Sequence, residues 1–144
     1  MQIVGVAVGI ALVLALIFAL CALISALSGW GDLAQRFAAA KAIDGTRFRF
    51  RAVTMGRGLT TVAFLPHIFV TIGLNGLYIS TFVPVGPPLF IPWTEIESME
   101  PERSLFSTSY VITIRNCRPQ ITLYGKPGRS AMEAFESAML ATAL

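Results

Sequence analysis

Charged side chains are scarce in this sequence. No Asp, Glu, Lys or Arg occurs before Asp32, and these four residue types make up only 13% of the 144 residues. A long uncharged opening segment is not typical of the surface of a soluble domain. From Asp32 onward, 11 basic and 8 acidic side chains are interleaved and give a net charge of +3. This weak positive balance disfavours nucleic acid as a partner.

Cysteine and histidine are equally scarce. Cys21 lies in the apolar segment and Cys117 in a polar turn, so we expect no disulfide between them. The single histidine, His67, has no cysteine or second histidine near it, which excludes the usual zinc ligand sets. Residues 56–58 lack the length and the lysine of a phosphate loop, and the glutamates within 95–102 resemble no calcium loop. We therefore expect no enzyme activity, no catalytic residue, no metal and no cofactor.

The opening segment consists of apolar side chains. As a helix, residues 3–27 would rise about 37 Å, which is enough to cross a hydrocarbon layer of about 30 Å. We predict a transmembrane helix over 1–28, with the lipid bilayer as its partner. The alternative, a cleaved signal peptide, needs a basic start and a shorter apolar core. Met1 and Gln2 provide no basic residue, so the uncleaved anchor is favoured.

The basic residues that follow this helix predict its orientation. None precedes the span, whereas Arg36, Lys41 and Arg47 begin a series of positive side chains after it. Because positive residues remain on the cytoplasmic side, we expect the N-terminus outside and the C-terminal domain in the cytoplasm. The sequence thus predicts a single-pass protein of the inner (cell) membrane.

Small residues recur along one side of the predicted span. They include a G-x-x-x-G pair and alanines at helical spacing: Gly5, Gly9, Ala11, Ala15 and Ala19. Small side chains allow two helices to approach closely, so this side is a candidate surface for a homodimer through the transmembrane helix. The alternative is an anchor that makes no such contact, since alanine is common in membrane spans.

Residues 29–45 are interpreted as an interfacial linker helix. Trp30 lies where aromatic rings settle at the headgroup level, and Leu33 and Phe37 share its face at helical spacing. Asp32 suits the N-terminal end of such a helix. The alternative is that this stretch continues the span as a bent stalk.

The pattern changes to that of strands over 46–144. About seven short antiparallel strands are indicated, with Asn75-Gly76 as a hairpin turn, Pro66 and His67 as an interruption, and Pro92 on an edge strand. The last segment has the pattern of an amphipathic helix with a capping box at Ser130 and Glu133. Its predicted apolar stripe is Met132, Phe135, Met139 and Leu140. The expected class is α+β, mainly β, with the helix capping a roll or barrel.

This arrangement resembles the pleckstrin-homology-like (PH-like) superfold, which has seven strands and a C-terminal capping helix. The stretch GLYISTFVPVGPPLFIPWTEIESME (76–100) resembles bacterial PH-like domains of small membrane proteins. The N-terminal span followed by Ser28-Gly29-Trp30 is similar to single-span inner-membrane proteins of Gram-negative bacteria. The resemblance bears on the fold more than on the role. Since such folds commonly offer an open sheet edge or a groove beside the capping helix to a peptide, we expect a membrane-anchored scaffold that presents its PH-like domain to a membrane or cytoplasmic protein partner.

A second hypothesis is a lipid sensor. Arg47, Arg49 and Arg51 share one face of the first strand, and Arg57 follows in the turn. In eukaryotic PH domains basic residues near this hairpin bind phosphoinositide headgroups, although the spacing here departs from that pattern. Arg49, Arg51 and Arg57 are therefore candidate ligands of anionic lipid at the inner leaflet. The alternative is a solvated strand face.

Carbonate extraction tests the predicted anchor. We expect the intact chain to remain with the membrane pellet after an alkaline carbonate wash, because a retained apolar span is not released by the loss of ionic contacts. Recovery of the full-length chain in the washed supernatant would contradict the anchor.

Overall fold

The computed structural model describes residues 1–57, 60–82 and 85–143, and within these it leaves out the side chains of 50–52, 57, 60–61 and 63–67. Three helices, seven strands and one 3₁₀ turn are formed by the described residues. In chain order they are α1 Gln2–Ser28, α2 Trp30–Phe37, β1 Thr46–Arg57, β2 Thr60–Ile72, β3 Gly76–Thr81, β4 Leu89–Pro92, the 3₁₀ turn Trp93–Glu95, β5 Ile96–Arg103, β6 Thr108–Ile114, β7 Gln120–Tyr124 and α3 Lys126–Ala143.

The strands form two antiparallel sheets that share one strand. Hydrogen-bonded neighbours follow the order β4-β3-β2-β1-β7-β6-β5. β1 pairs with β2 on one side and with β7 on the other, and it therefore belongs to both sheets. One sheet contains β1 to β4, and the other contains β1, β7, β6 and β5. Among the described residues β4 and β5 do not pair, so the predicted closed roll is corrected to two four-stranded sheets in an α+β fold that is mainly β.

The long first hairpin bends in the middle. The register of β1 with β2 shifts between Arg49 and Arg51 and again between Arg51 and Val53, and the second shift sets 65–67 opposite one residue of β1. A bulge of this kind tolerates Pro66, which has no backbone N–H to donate. The sequence predicted that Pro66 and His67 separate two strands. This was wrong, because β2 continues through both residues as one strand with a shift of register.

The core lies between the inner faces of the two sheets. Along β4 buried residues alternate with half-buried ones, as expected of a strand with one packed face, whereas the first four residues of β3 are all buried. The fully buried strand residues are Val53, Met55, Ile68, Val70, Leu77, Ile79, Leu89, Ile91, Ile112, Ile121 and Leu123.

The outer strand of the second sheet carries polar residues along its open side. Among the described residues β5 pairs only with β6. Glu97, Glu100 and Glu102 are exposed, and Pro101 lies between the last two. These three glutamates give the strand an exposed acidic surface. Charge and proline on an outer strand are typical of an edge that does not pair further.

The N-terminal helices are joined at Gly29. This residue ends α1 and precedes α2 with a φ of 78°, a left-handed conformation that favours glycine. The Trp30 backbone N–H donates to Ser28 Oγ at 3.2 Å, and Ser28 is itself buried. The tight turn directs α2 back onto the β-domain.

The structure corrects the interfacial assignment of α2. Trp30 and Leu33 are fully buried and Phe37 is nearly so, and all three belong to the hydrophobic core of the β-domain. Their common face therefore packs against protein, not against lipid headgroups. Burial of three large apolar side chains stabilises the domain more than their partial immersion at a membrane surface would. Residues 30–37 are thus part of the domain that was predicted to begin at 46.

The C-terminal helix begins earlier than predicted. α3 starts at Lys126, so Ser130 and Glu133 lie inside it and do not form its cap. Phe135 packs against the core with its ring 6.3 Å from that of Trp93. Met139 and Leu140 are exposed, which corrects the C-terminal part of the predicted apolar stripe. The packed face also contains Pro127, Gly128, Ala131, Met132, Ala134 and Ala138.

Substitution of Trp30 tests the importance of α2 for folding. Trp30→Ala is expected to lower the free energy of unfolding by about 3–5 kcal/mol, because it leaves a large cavity in the core. Trp30→Phe keeps most of the ring but leaves the Pro87 carbonyl without its donor, at a cost of about 1–3 kcal/mol. Denaturant unfolding of the full chain in mild detergent measures both. The control Phe106→Ala removes an exposed ring and should change stability by less than about 0.5 kcal/mol; equal effects of all three would contradict this assignment.

Candidate functional site

The N-terminal helices cover one side of the β-domain. Four residues of α1 at helical spacing turn toward the protein: Cys21, Ile24, Ser25 and Ser28. Through this face the last two turns of α1 contact β1 and β2. The remaining length, from Gln2 to Leu20, is exposed along its whole surface. The apolar helix is therefore docked on the domain only at its C-terminal end.

Trp30 fixes the turn between the two helices to the β3–β4 connection. Its Nε1 donates to the Pro87 carbonyl oxygen at 2.9 Å. The indole ring lies against Gly86 so closely that a Cβ at that position would be 2.6 Å from Trp30 Cδ1. Glycine at 86 is thus required for this approach.

Arg36 joins α2 to two further parts of the domain. Its Nη1 donates to the Arg115 carbonyl oxygen at 2.8 Å, in the β6–β7 turn. Its Nη2 forms an ion pair with Glu95 Oε2 at 3.1 Å, and about a third of each side chain is exposed. Its guanidinium also lies 4.9 Å from the centre of the Phe37 ring. Arg36 mainly positions α2 on the domain, since a partly exposed ion pair stabilises by only about 0–1 kcal/mol.

A row of three hollows lies on the surface beside β4 and α3. The first, of about 480 Å³, is lined by Arg36–Lys41, Ile43, Phe90, Pro92 and Glu95. The second, of about 250 Å³, is lined by Ile43, Asp44, Gly73–Asn75 and Phe90. The third, of about 570 Å³, is lined by Asp44–Thr46, Ile72–Leu74, Ser130, Glu133, Ala134 and Ser137.

Neighbouring hollows in this row share lining residues. The first and second share Ile43 and Phe90, and the second and third share Asp44 and Leu74. We call the combined depression the long groove. It runs from the end of α2, past the edge of β4 and the β2–β3 turn, to the side of α3. Its extended shape fits a chain segment better than a compact small molecule.

The two ends of the long groove differ in charge. Lys41 lines the end near α2, where Arg36 is already paired with Glu95. Asp44 and Glu133 line the end beside α3. Between them Leu74 is 94% exposed at the tip of the β2–β3 turn. The surface therefore offers an apolar contact next to an acidic end.

The turn that carries Leu74 differs slightly from the predicted hairpin. The Gly73 N–H donates to the Gly76 carbonyl oxygen at 3.0 Å, so Leu74 and Asn75 are the central residues. A second tie holds it in place, because Trp93 Nε1 donates to the Gly73 carbonyl oxygen at 3.2 Å. The tip of the turn is thus fixed at the wall of the groove.

One of the predicted lipid-binding arginines, Arg49, is described by the structure and is not part of this groove. It is exposed on β1 and lines none of the three hollows. The side chains of Arg51 and Arg57 lie outside the described residues, so their prediction stays open.

The predicted helix-association surface is exposed. A Cβ at Gly5 or at Gly9 would meet no other atom within 4 Å, and the three alanines of the same set are exposed on α1. Nothing in the single chain tests whether a second helix covers them, and the homodimer remains a prediction.

No metal-binding constellation is found in the part of the chain that the structure describes, where no three His, Cys, Asp or Glu side chains converge. The side chain of His67 lies outside that part. Glu95, one of the four clustered glutamates, serves as the partner of Arg36.

Sequence reasoning missed the residues that line the long groove. The connector 38–45 has no periodic pattern, yet its backbone pairs with β4 through Ala38 and Leu89, and the Ala39 N–H donates to the Pro88 carbonyl oxygen at 2.8 Å. The one signal in the sequence that could have pointed to the long groove was Leu74, an apolar residue in a turn. Comparison with protein-family models and with curated proteins finds no match for this chain.

Removal of Arg36 tests how far its contacts stabilise α2 on the domain. Arg36→Ala is expected to lower the free energy of unfolding by about 1–2 kcal/mol, because it removes the bond to the Arg115 carbonyl together with the ion pair. Glu95→Gln should cost less than about 1 kcal/mol. Both are measured by denaturant unfolding in detergent, with Arg103→Ala, an exposed arginine on β5, as the matched control. A larger loss for Glu95→Gln than for Arg36→Ala would contradict this ranking.

Proposed function

We propose that this protein is a membrane-anchored, non-enzymatic scaffold whose β-domain binds a segment of a protein partner in the long groove. The domain is held at the cytoplasmic side of the inner membrane by one N-terminal span. The observation that carries the proposal is the row of three neighbouring hollows along β4 and α3, which offers an extended surface to a chain segment.

The anchor is supported by the length and exposure of α1. Among the described residues it is the one helix long and apolar enough to cross a membrane. Its undocked part, Gln2 to Leu20, rises about 28 Å, close to the thickness of a hydrocarbon layer. Docking of Cys21, Ile24 and Ser28 on the domain favours a retained helix over a cleaved signal, since cleavage would remove packed residues. The excess of basic residues after the span supports the proposed orientation.

A PH-like fold for the domain is supported by its strand order. A meander of four strands, β1 to β4, is followed by three strands that rejoin β1 through β7, and a helix comes last. This order agrees with the resemblance that the sequence carries. The fold by itself does not define a function, so the proposal rests on the groove.

The chemistry of the groove favours a segment with an apolar and a basic side chain. Leu74 and Ala134 provide apolar contact at the α3 end, where Asp44 and Glu133 provide negative charge. A basic side chain of the partner would be placed near these carboxylates, and an apolar one against Leu74. Such a pattern, with a desolvated apolar centre and charges around it, is typical of protein interfaces.

Site-specific photo-crosslinking in cells tests this proposal. A photoreactive phenylalanine at Leu74 is expected to give a crosslinked adduct of defined mass with the full chain in its membrane. Ala134→Arg, which inserts a large charged side chain beside that position, should abolish the adduct. The same photoreactive residue at Phe106 is the control, because Phe106 is equally exposed but lies on the β5–β6 turn.

Two outcomes would contradict the groove as the binding site. One is a Leu74 adduct that persists in the Ala134→Arg variant, and the other is an identical adduct from Phe106. Circular dichroism of the Ala134→Arg variant excludes unfolding as the reason for a lost adduct.

The alternative of a sensor for one lipid headgroup has less support. Headgroup recognition needs convergent basic side chains around a cavity. Arg49 lines none of the three hollows. Among the described residues no other basic side chain converges with it on a cavity. The exposed position of Arg49 on β1 suits contact with a membrane surface better than enclosure of a single headgroup.

A further inference from the structure

A cluster of arginine and aromatic side chains lies on the outer face of the first sheet. Along β1 and β2, Arg47 pairs with Thr71 and Arg49 pairs with Phe69. Ile68 and Val70, the neighbours of Phe69, point into the core. Because side chains alternate along a strand, the two arginines and Phe69 share the face that points away from the core.

Phe82 joins the same cluster from the end of β3. Its ring centre lies 6.3 Å from that of Phe69, and the Arg47 guanidinium lies 5.3 Å from the Phe69 ring centre. The Phe82 side chain is 62% exposed. We call Arg47, Arg49, Phe69 and Phe82 the outer-face cluster. The cluster thus presents an exposed ring and positive charge on one face.

The positive charge of this cluster is not neutralised by the described part of the chain. Arg47 and Arg49 are exposed. The ion pair found among the described residues joins Arg36 to Glu95, so these two arginines have no carboxylate partner there. Two guanidinium groups without a carboxylate on one face complement a layer of phosphate groups.

The outer-face cluster is carried by strands that contact α1. α1 contacts both β1 and β2. Since α1 is docked from Cys21 onward, the domain has no free stalk that would hold it away from the membrane. The strands that carry the cluster therefore lie next to the proposed span.

We propose that the outer-face cluster is a second membrane contact, in which the arginines bind anionic headgroups and Phe82 enters the boundary between headgroups and acyl chains. This inference rests on the proposed anchor. Anionic lipid attracts arginine at a membrane surface, and aromatic rings settle at the same depth. The span then fixes the domain at one point and the outer-face cluster at another, which sets the orientation of the domain on the membrane.

Spin-label accessibility on the full chain tests the proposal. The protein is labelled in a Cys117→Ser background, in which the remaining Cys21 is only 5% exposed, and is placed in nanodiscs of zwitterionic and anionic phospholipid. A nitroxide at Phe82→Cys is expected to be several-fold less accessible to a water-soluble nickel complex than one at Leu105→Cys. Leu105 is 95% exposed and belongs to the β5–β6 turn.

The contribution of charge is tested by matched charge reversals. Arg47→Glu with Arg49→Glu should restore nickel access at position 82. Arg103→Glu with Arg118→Glu, which changes the net charge by the same amount at exposed positions outside the cluster, should not. Omission of the anionic lipid should have the same effect as the first pair of substitutions.

The outcomes separate this inference from the proposed anchor. A label at Leu12→Cys must be shielded from nickel and open to oxygen if α1 spans the membrane. Suppose that the Leu12 label shows this behaviour and that the label at position 82 is as accessible to nickel as the label at position 105. The outer-face cluster is then not a membrane contact. If position 82 is shielded irrespective of the arginines or of anionic lipid, a protein surface covers it and the proposal is wrong. Exposure of the Leu12 label would overturn the anchor itself.

Discussion

The structure depends on the packing of Trp30 between the apolar helix and the β-domain. One indole ring lies in the core, contacts Gly86 and donates to the Pro87 carbonyl. Without it, the start of α2 would lose its contact with the β3–β4 connection. Because Gly29 turns the chain at this point, the ring converts a flexible connection into a corner held on both sides. The position of the domain relative to the span follows from this corner.

From that corner the other features can be understood as consequences. α2 lies across the domain and brings Arg36 to the β6–β7 turn, and the connector after it runs along the edge of β4. The connector and the β2–β3 turn then form the walls of the long groove, which α3 closes at its far end. The groove is thus made by the segments around the sheets, while the sheets provide a rigid base.

Much of the fold could be predicted from residue patterns. The uncharged run over 3–27 predicted α1, and alternation of apolar and polar residues predicted the strands. The role of α2 could not be predicted, because Trp30, Leu33 and Phe37 form an apolar stripe that suits a protein core and a membrane surface equally well. Which of the two surfaces covers it depends on tertiary contacts with residues 57 positions away, such as Pro87. The groove was missed for the same reason, since its walls are irregular segments that meet only in the folded chain.

The open side of β5 has a consequence for the proposed membrane-anchored arrangement. Molecules tethered to a bilayer meet one another more often and in fewer orientations than molecules in solution. A bare strand edge would allow neighbouring copies to join sheet to sheet and to grow into ribbons. Glu100 and Glu102 repel a second copy of the same edge, and Pro101 has no N–H to offer it. In the proposed membrane-anchored arrangement, this acidic rim is expected to keep neighbouring copies from pairing edge to edge.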